Sequence, residues 1–410
     1  MNFIGLLGIL AILGLAFLFS NNRKAINYRT VGVGLLIQLL LAIFVLKTAS
    51  GKAVFAYLGA VVKKLLTFSD MAADFVFGPL VRDSVMTEVF GQNFIFFFRV
   101  VPTIVFVAVL VKVFYHIGVL QFIIKWIAKF MHWSMRVSGS EALSNIGSAF
   151  VGQVEAQLMI GPYVKNMTMS ELLASMSGSM ACIAGGVMAT YIQMGIDASS
   201  LLAASIMAAP GALVISKIVW PETEKSETAG EVTMVVKKTN TNLLDAISQG
   251  ANEGFKIALN VVAMLLGFLA LIYLLDYGLG KAGMLFGLED LSLQNIFGFV
   301  FSGFAWLMGV PAKDMHAVGG LMGTKLAVNE FVAYLNLKNM EGLAPISTMI
   351  ATFALCGFAN FSSIAIQVGG IGQIAPERRK DLAKLGFKAL LCGTLANYLS
   401  ATIAGLLFSL

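Results

Sequence analysis

Apolar runs of about 20 residues follow one another along nearly the whole 410-residue chain; MNFIGLLGILAILGLAFLFS is one and KALLCGTLANYLSATIAGLLFSL is another. A helix of that length spans a bilayer core of roughly 30 Å. Lipid offers no water to pair backbone N–H and C=O groups, so only helices and closed barrels can cross it. These runs are continuous and do not alternate with a period of two, which excludes a β-barrel. The sequence therefore predicts an all-α polytopic membrane protein. Charged residues make up 12% of the chain, against about 25% in a soluble domain. The net charge of +6 sits in short loops beside apolar runs, as cytoplasmic loops carry it. A nucleic-acid partner is therefore not expected. The first run has no basic leader and no small-residue cleavage pattern, so it reads as a retained span.

Eight spans are expected, at about 2–20, 30–47, 97–120, 172–194, 199–219, 253–277, 345–370 and 387–409. The segment 48–96 is mixed, carrying Lys52, Lys63, Lys64, Arg82 and Asp83, and reads as interfacial helix and loop. IKWIAKFMHWSMR, with Lys125, Lys129 and Arg136, reads as a basic amphipathic helix. Two interrupted segments, 140–170 and 293–337, contain GQVEA and AVNEFVAY. Gly147, Gly152 and Gly323 are the expected hairpin tips or unwound turns. The expected divisions are 1–96, N-terminal scaffold helices; 97–220, a first repeat; 221–252, a cytoplasmic loop; and 253–410, a second repeat. Arg23, Lys24 and Arg29 put the loop after the first span inside. With eight spans both termini then face outside, provided each interrupted segment enters and leaves on one side, as a re-entrant hairpin does.

MACIAGGVMATYIQMG (180–195) and ALCGFANFSSIAIQVG (354–369) align at a shift of 174, matching Cys182 with Cys356 and Gln193 with Gln367. Glu155 and Glu330 stand 175 apart. Phe98-Arg99 opens one half and Phe255-Lys256 the other. Each half thus reads as span, hairpin, span, span. Three full spans per unit is odd, so the second copy is inserted upside down. Inverted repeats with broken helices characterise secondary transporters, whose substrate sites lie where the repeats meet.

A carboxylate at membrane depth costs several kcal/mol, which singles out Glu155 and Glu330 as functional. The structural alternative is a buried carboxylate paired with Lys325 or a backbone amide. Gln153 lies two residues before Glu155. An amide both donates and accepts, whereas a carboxylate only accepts. Together they suit a flat ligand with mixed edges. Asn360 and Ser363, three apart on the seventh span, share a helix face and with Glu330 suit neighbouring hydroxyls, as on a sugar. Ser362 has the simpler option of bonding the preceding turn, and Phe358 alone reads as core. Gly185-Gly186 is a small-residue pair of the kind that serves helix packing. Cys182, Cys356 and Cys392 lie in apolar segments and suggest no disulfide framework. His116, His132 and His316 have no ligand spacing. No nucleotide-binding loop, zinc-hydrolase or nucleophile-elbow motif occurs, which argues against an enzyme and against ATP-driven pumping.

GQVEA, IAGGV, NEFVAY and ALCGFANFSSIAI, in that order, together resemble the concentrative nucleoside transporters. The resemblance begins with SNNRKAI (20–26) and covers essentially the whole chain. It implies a homotrimer of subunits with eight spans and two re-entrant hairpins, working as an elevator. It implies that Gln153 and Glu155 face the nucleobase, with Val154 beside it. Glu330, Asn360 and Ser363 would face the ribose, and Phe358 and Val187 would line the pocket. The implied partners are nucleosides such as uridine, membrane lipids and two further copies of the chain. No organic cofactor is implied.

Two departures bear on the coupling cation. The family's sodium-using pattern reads Asn-x-Phe-Val-Gly-Gln-Thr-Glu-Ala-Pro, where this chain has Ser148-Ala149-Phe150-Val151-Gly152-Gln153-Val154-Glu155-Ala156-Gln157. The family's SIAGG begins here with Cys182. The resemblance thus leaves Ser148, Val151, Cys182 and Ile183 as a sodium site in which a neutral thiol replaces a hydroxyl, and thiols suit softer metals. Sodium and protons both stand as coupling cations. The rival function is a channel or an intramembrane enzyme using the same carboxylates. A channel needs a continuous polar stripe and a protease needs a paired-Asp or Ser–His set; the sequence displays neither.

Overall fold

The computed structural model describes residues 2–90, 95–229, 240–287 and 291–409. The 91–94 part of the mixed segment and the 230–239 part of the long polar loop, with Lys237 and Lys238, lie outside the described residues, as does the side chain of Asp83.

The described chain is helical: α1 (Asn2–Leu18), α2 (Tyr28–Lys47), α3 (Ala49–Phe77), α4 (Asp83–Phe90), α5 (Phe96–His116), α6 (Val119–Met135), α7 (Gly139–Ser148), α8 (Glu155–Met159), α9 (Gly161–Val164), α10 (Met169–Ala181), α11 (Gly185–Gln193) and α12 (Ala198–Val219). It continues with α13 (Leu243–Leu285), α14 (Leu293–Leu307), α15 (Met315–Ala327), α16 (Glu330–Asn339), α17 (Pro345–Leu355), α18 (Phe361–Ile374) and α19 (Arg379–Ser409). Among the described residues, six helical stretches are long and apolar enough to cross a membrane: Tyr28–Lys47, Phe96–His116, Met169–Gln193, Ala198–Val219, Leu243–Leu285 and Pro376–Ser409. The expected first and seventh spans fall short of that length, because α1 has 17 residues and the other is divided between α17 and α18.

The order of elements repeats. The series α5 to α12 (with α8 and α9 as one arm) is matched by α13 to α19: a long helix, an amphipathic helix, a helix–break–helix pair, a broken span and a final span. Cys182 and Cys356, matched in the sequence, are the C-caps of α10 and α17. Glu155 and Glu330 are the first residues of α8 and α16.

Several expectations about local structure differ from what is seen. The fourth and seventh spans, expected to be continuous, are interrupted at 182–184 and 356–360. Gly357 has φ +108°, which favours glycine strongly, and Asn360 is the N-cap of α18 rather than a point on a continuous face, its Oδ1 accepting from Ser363 N at 2.9 Å. Gly147 and Gly323 are not breaks; they lie inside α7 and α15, where a Cβ would press on Ala156 and Met159 or on the Phe297 ring. Gly152, with φ +122°, does sit in the break before α8. The sixth span, α13, has 43 residues, roughly 65 Å at 1.5 Å per residue, so Phe255 lies well inside it. Segment 48–96 is dominated by the 29-residue α3, packed on α2, α5 and α12; Thr48 Oγ1 accepts from Gly51 N at 2.9 Å and restarts the helix directly after α2.

The core is made of α7, α10 and α12 with the C-terminal halves of α17 and α19, whose residues are mostly buried. Ser138/Glu141 and Thr168/Glu171 form complete capping boxes at the starts of α7 and α10, each pairing two orphan N–H donors. Outside this core α5 and α13 pair through the Gly250–Gly254 step: a Cβ at Gly254 would lie 2.8 Å from the Val105 Cα, and one at Gly250 2.8 Å from the Val109 Cα. Small residues four apart allow such close helix approach in membranes. The opposite side of α13 is apolar and exposed at Leu266, Leu274 and Leu285.

The crossing of the two broken spans yields a test. A Cβ at Gly357 would run into the Ala181 carbonyl oxygen and lie 2.9 Å from Asn397 Oδ1. Gly357→Ala is therefore expected to destabilise the purified protein by about 2 kcal/mol or more. Gly369→Ala, in α18 with nothing near its Cβ position, is expected to be neutral or slightly stabilising. Thermal unfolding in detergent measures both.

Candidate functional site

A cavity of about 640 Å³ lies between the α5/α13 pair and the broken helices, a size that suits a small organic solute. All eight residues singled out as substrate-binding line it: Gln153, Val154 and Glu155 from the first helix–break–helix pair, Val187 from α11, Glu330 from α16, and Phe358, Asn360 and Ser363 from the second broken span. Chain breaks bring them there. An uninterrupted helix keeps its backbone and its polar side chains at fixed angular spacing. A break instead ends one helix and starts another at membrane depth, and aims the new N-terminal residues at a common point.

Glu330 is the most tightly held member. Its Oε1 accepts from the Tyr191 hydroxyl and its Oε2 from Asn360 Nδ2, both at 3.0 Å. Asn329 caps α16, accepting from Val332 N at 2.9 Å. Tyr191 is fixed by its neighbours, with ring centroids 4.5 Å from Tyr334 and 5.5 Å from Phe331. Tyr191 was not among the expected residues; no pattern in the sequence distinguishes it from a core aromatic of α11. Lys325, the alternative partner for Glu330, is directed elsewhere: its Nζ donates to Ala354 O, Cys356 O and Asn397 Oδ1. Ser362 does not bond a preceding turn; its hydroxyl donates to Asn360 Oδ1 at 2.7 Å.

At the other end of the cavity Glu155 lies over Gly152, where a Cβ would come 2.5 Å from Oε2, with the Val154 and Glu155 N–H groups facing the carboxylate. Gln153 Oε1 accepts from Gln367 Nε2 at 3.3 Å. Gln367 was noticed only as a repeat match; here it ties the first hairpin to α18. Gly370 supports the same contact, because a Cβ there would sit 2.7 Å from a Val154 methyl. The remaining wall includes Lys112 of α5 and Glu253 of α13, joined across the two helices at 2.8 Å. Neither was expected. The arrangement offers an amide–carboxylate pair at one end, a carboxylate–amide–hydroxyl set at the other, and apolar walls from Val154, Val187, Phe358 and Ile366 between them.

The four residues expected to hold sodium are a different matter. Ser148 Oγ donates to Ser144 O at 2.8 Å and is paired with Ser179 Oγ at 2.9 Å. Since its proton goes to the carbonyl, it accepts from Ser179. Gln157 directs this network: its Nε2 donates to Ser144 Oγ and Ser179 Oγ, and its Oε1 accepts from Ser175 Oγ. The 2.6 Å Ser144–Ser175 contact then closes a ring of hydrogen bonds. Cys182 Sγ faces the carbonyls of Asn145 at 3.9 Å and Ser205 at 4.0 Å. A hard cation gathers several oxygens. Here the set is one hydroxyl with a single spare lone pair, a thiol, and the carbonyls of Val151 and Ile183, so any oxygen ligation from it rests mainly on the two carbonyls.

Fold and cavity together define a polytopic helical membrane protein with a central, solute-sized polar site between broken helices. Three family descriptions match the chain: "Na+ dependent nucleoside transporter N-terminus" over residues 7–80, "Nucleoside recognition" over 97–198 and "Na+ dependent nucleoside transporter C-terminus" over 200–405. The chain is 43% identical over 404 residues to a transporter of Bacillus subtilis, YutK, covering 98% of each. It is 38% identical over 419 residues to sodium/nucleoside cotransporter 1 of Mus musculus, covering 98% of this chain and 63% of that protein. The solved structure of CNTnw in an inward-facing substrate-bound state superposes with a TM-score of 0.95 at 43% identity, covering 100% of this chain and 98% of that one. The chain belongs to the Na+-dependent nucleoside transporter family.

The hold on Glu330 yields a second test. Tyr191→Phe removes one hydrogen bond to a charged group, and such bonds contribute about 1.5–3 kcal/mol. Nucleoside affinity is expected to fall about tenfold or more with helix content by circular dichroism unchanged. An unaltered affinity would mean that Asn360 alone orients the carboxylate.

Proposed function

We propose that the protein is a secondary active symporter that imports nucleosides such as uridine across a bacterial inner membrane, coupled to sodium or protons. The observation that carries this reading is the meeting of Gln153 and Glu155 with Glu330, Asn360 and Ser363 around one cavity. On this reading Gln153 and Glu155 take the mixed edge of the base, Val154, Val187 and Phe358 flank its ring, and Glu330, Asn360 and Ser363 take the ribose hydroxyls. Hydroxyls donate to a carboxylate, and Glu330, already aimed by two donors, is suited to receive them.

The proposed architecture is eight spans and two re-entrant hairpins in an inverted repeat. The hairpins are α7 with α8 and α9, and α15 with α16. Units 97–220 and 253–410 are the two copies, residues 1–96 the scaffold, and 221–252 a connection that includes the start of α13. Both termini face outward. A homotrimer is proposed because α13 carries an exposed apolar side longer than a bilayer needs. An elevator is proposed because the broken helices and hairpins form one packed body against the α5/α13 pair, and because CNTnw has been solved in inward- and outward-facing states. The channel and enzyme readings find no support in the cavity, whose polar groups gather at its two ends rather than along a stripe.

Radiolabelled uridine uptake into proteoliposomes, under an imposed sodium gradient or an imposed pH gradient, tests the reading. Accumulation under one gradient identifies the cation; accumulation under neither, with intact protein, overturns the assignment. Glu330→Gln and Asn360→Ala are each expected to abolish uptake while the protein still reaches the membrane. Normal uptake by both would sink the ribose assignment.

A further inference from the structure

Lys325 is an ammonium in an unusual place. It lies in the last turn of α15 and is 1% exposed. Its Nζ donates to Asn397 Oδ1 at 2.8 Å, Ala354 O at 2.9 Å and Cys356 O at 3.2 Å. Three acceptors require three protons, so the geometry is that of the charged form. All three acceptors are neutral oxygens. An isolated buried charge is costly, and here the compensation is dipolar: Ala354 and Cys356 lie where α17 stops, so their carbonyls lack helical partners and form the negative end of its dipole.

The internal repeat gives this arrangement a meaning. The corresponding half in the first repeat has α7 ending at Ser148, packed beside the end of α10 at its C-cap Cys182. That end holds no cationic side chain among its described partners. Ser148 contributes a hydroxyl, and the Ala181 carbonyl receives Asn397 Nδ2 at 2.8 Å. Asn397 therefore joins both breaks, donating to one and accepting from the ammonium at the other. In transporters with broken helices, unwound carbonyls and half-helix C-termini are where cations are held.

We propose that Lys325 is a tethered cation that occupies the helix-end station of the second repeat, so that this half of the molecule needs no ion from solution to hold its broken span in shape. Lys325 is a positioning residue. It touches neither the cavity lining nor Glu330 through its protons, yet it fixes the 356–360 break, whose far side presents Phe358 and Asn360 to the cavity. Its charge works at all times, whereas a dissolved cation works only while bound. The inference rests on the transporter reading for its binding readout alone.

The test is replacement of the tether and return of the cation. Lys325→Ala leaves three oxygens converging on a space the size of a short alkylammonium ion. Uridine affinity of the purified variant is expected to fall by about 30-fold or more, as loss of several charge-assisted hydrogen bonds implies, and the melting temperature to drop. Ethylammonium is expected to restore both. Tetramethylammonium, with no N–H, is not, and Lys325→Met, which fills the space without charge, is not expected to be rescued. If Lys325→Ala folds only when ethylammonium is present during purification, that too supports the proposal. Wild-type affinity in Lys325→Met, or equal effects of the two ammonium salts on Lys325→Ala, would overturn it. Wild-type protein that fails to bind uridine would overturn the functional reading instead, and the melting-temperature rescue would still decide the role of Lys325.

Discussion

Helices that stop in the middle of a membrane protein must have their ends satisfied without water, and the rest of this structure is arranged around that requirement. A buried backbone group left unpaired costs about as much as a lost hydrogen bond, and each broken span exposes several. The protein answers with side chains matched to the sign of each end. Asn329 and Asn360 accept from the N–H groups that open α16 and α18. Asn397 and Lys325 donate to the carbonyls that close α10 and α17. The same residues set the cavity, because Asn360 caps α18 and holds Glu330 with its two ends. The polar residues of the site are thus also the structural answer to the breaks that created it.

The first hairpin meets the requirement differently. Its break runs over six residues, 149–154, against two, 328–329, in the second. Close behind it, Gln157 and four serines form a buried hydrogen-bonded network in which both side-chain amide heavy atoms of the glutamine are used. Such networks are stabilising when fully satisfied and costly when partly so. Gln157 stands where the resembled pattern has a proline, and Ser148 where it has an asparagine. The two departures belong together: the glutamine supplies donors to the hydroxyls around Ser148, and a hydroxyl that is already accepting is a weaker ligand for a cation.

Much of this was legible in the sequence, for physical reasons. Length and continuity of the apolar runs fix a helical membrane protein because lipid leaves few alternatives. Glu155 and Glu330 stand out because a charge at that depth is improbable without work to do. The breaks in the fourth and seventh spans were not legible. Hydropathy averages over about 19 residues, and the interruptions at 182–184 and 356–360 are shorter than that and, Asn360 apart, composed of Cys, Ile, Ala, Gly and Phe, which are as apolar as a helix. Glycine did not mark them reliably either: Gly147 and Gly323 serve packing inside helices, whereas Gly152 and Gly357 take positive φ. Tyr191 and Asn397, and the partners of Gln367 and Lys325, escaped for a related reason. The contacts concerned span 139, 216, 214 and 29 positions, and no local pattern encodes such distances.

The two ends of the cavity differ in stiffness, and that difference bears on selectivity. Both oxygens of Glu330 are engaged by protein donors that are themselves packed or capped, so its position is over-determined. Gln153 is held by one long bond on an unwound strand of six residues, and Glu155 by its own local backbone. A rigid, preorganised set rejects a ligand that leaves its groups unpaired, since each unpaired buried group is costly. An adaptable set tolerates variation at modest loss. A site built this way sorts strictly at the Glu330 end and loosely at the Gln153 end. Solutes that share one polyol group and vary in their ring are the class for which that division is useful, and on the proposed assignment the ribose meets the rigid end and the base the adaptable one. Val154, in place of the threonine in the resembled pattern, belongs to the adaptable end: it packs its methyls on Gly370 and lines the cavity without a hydroxyl, so on the proposed assignment discrimination between bases falls to Gln153 and Glu155.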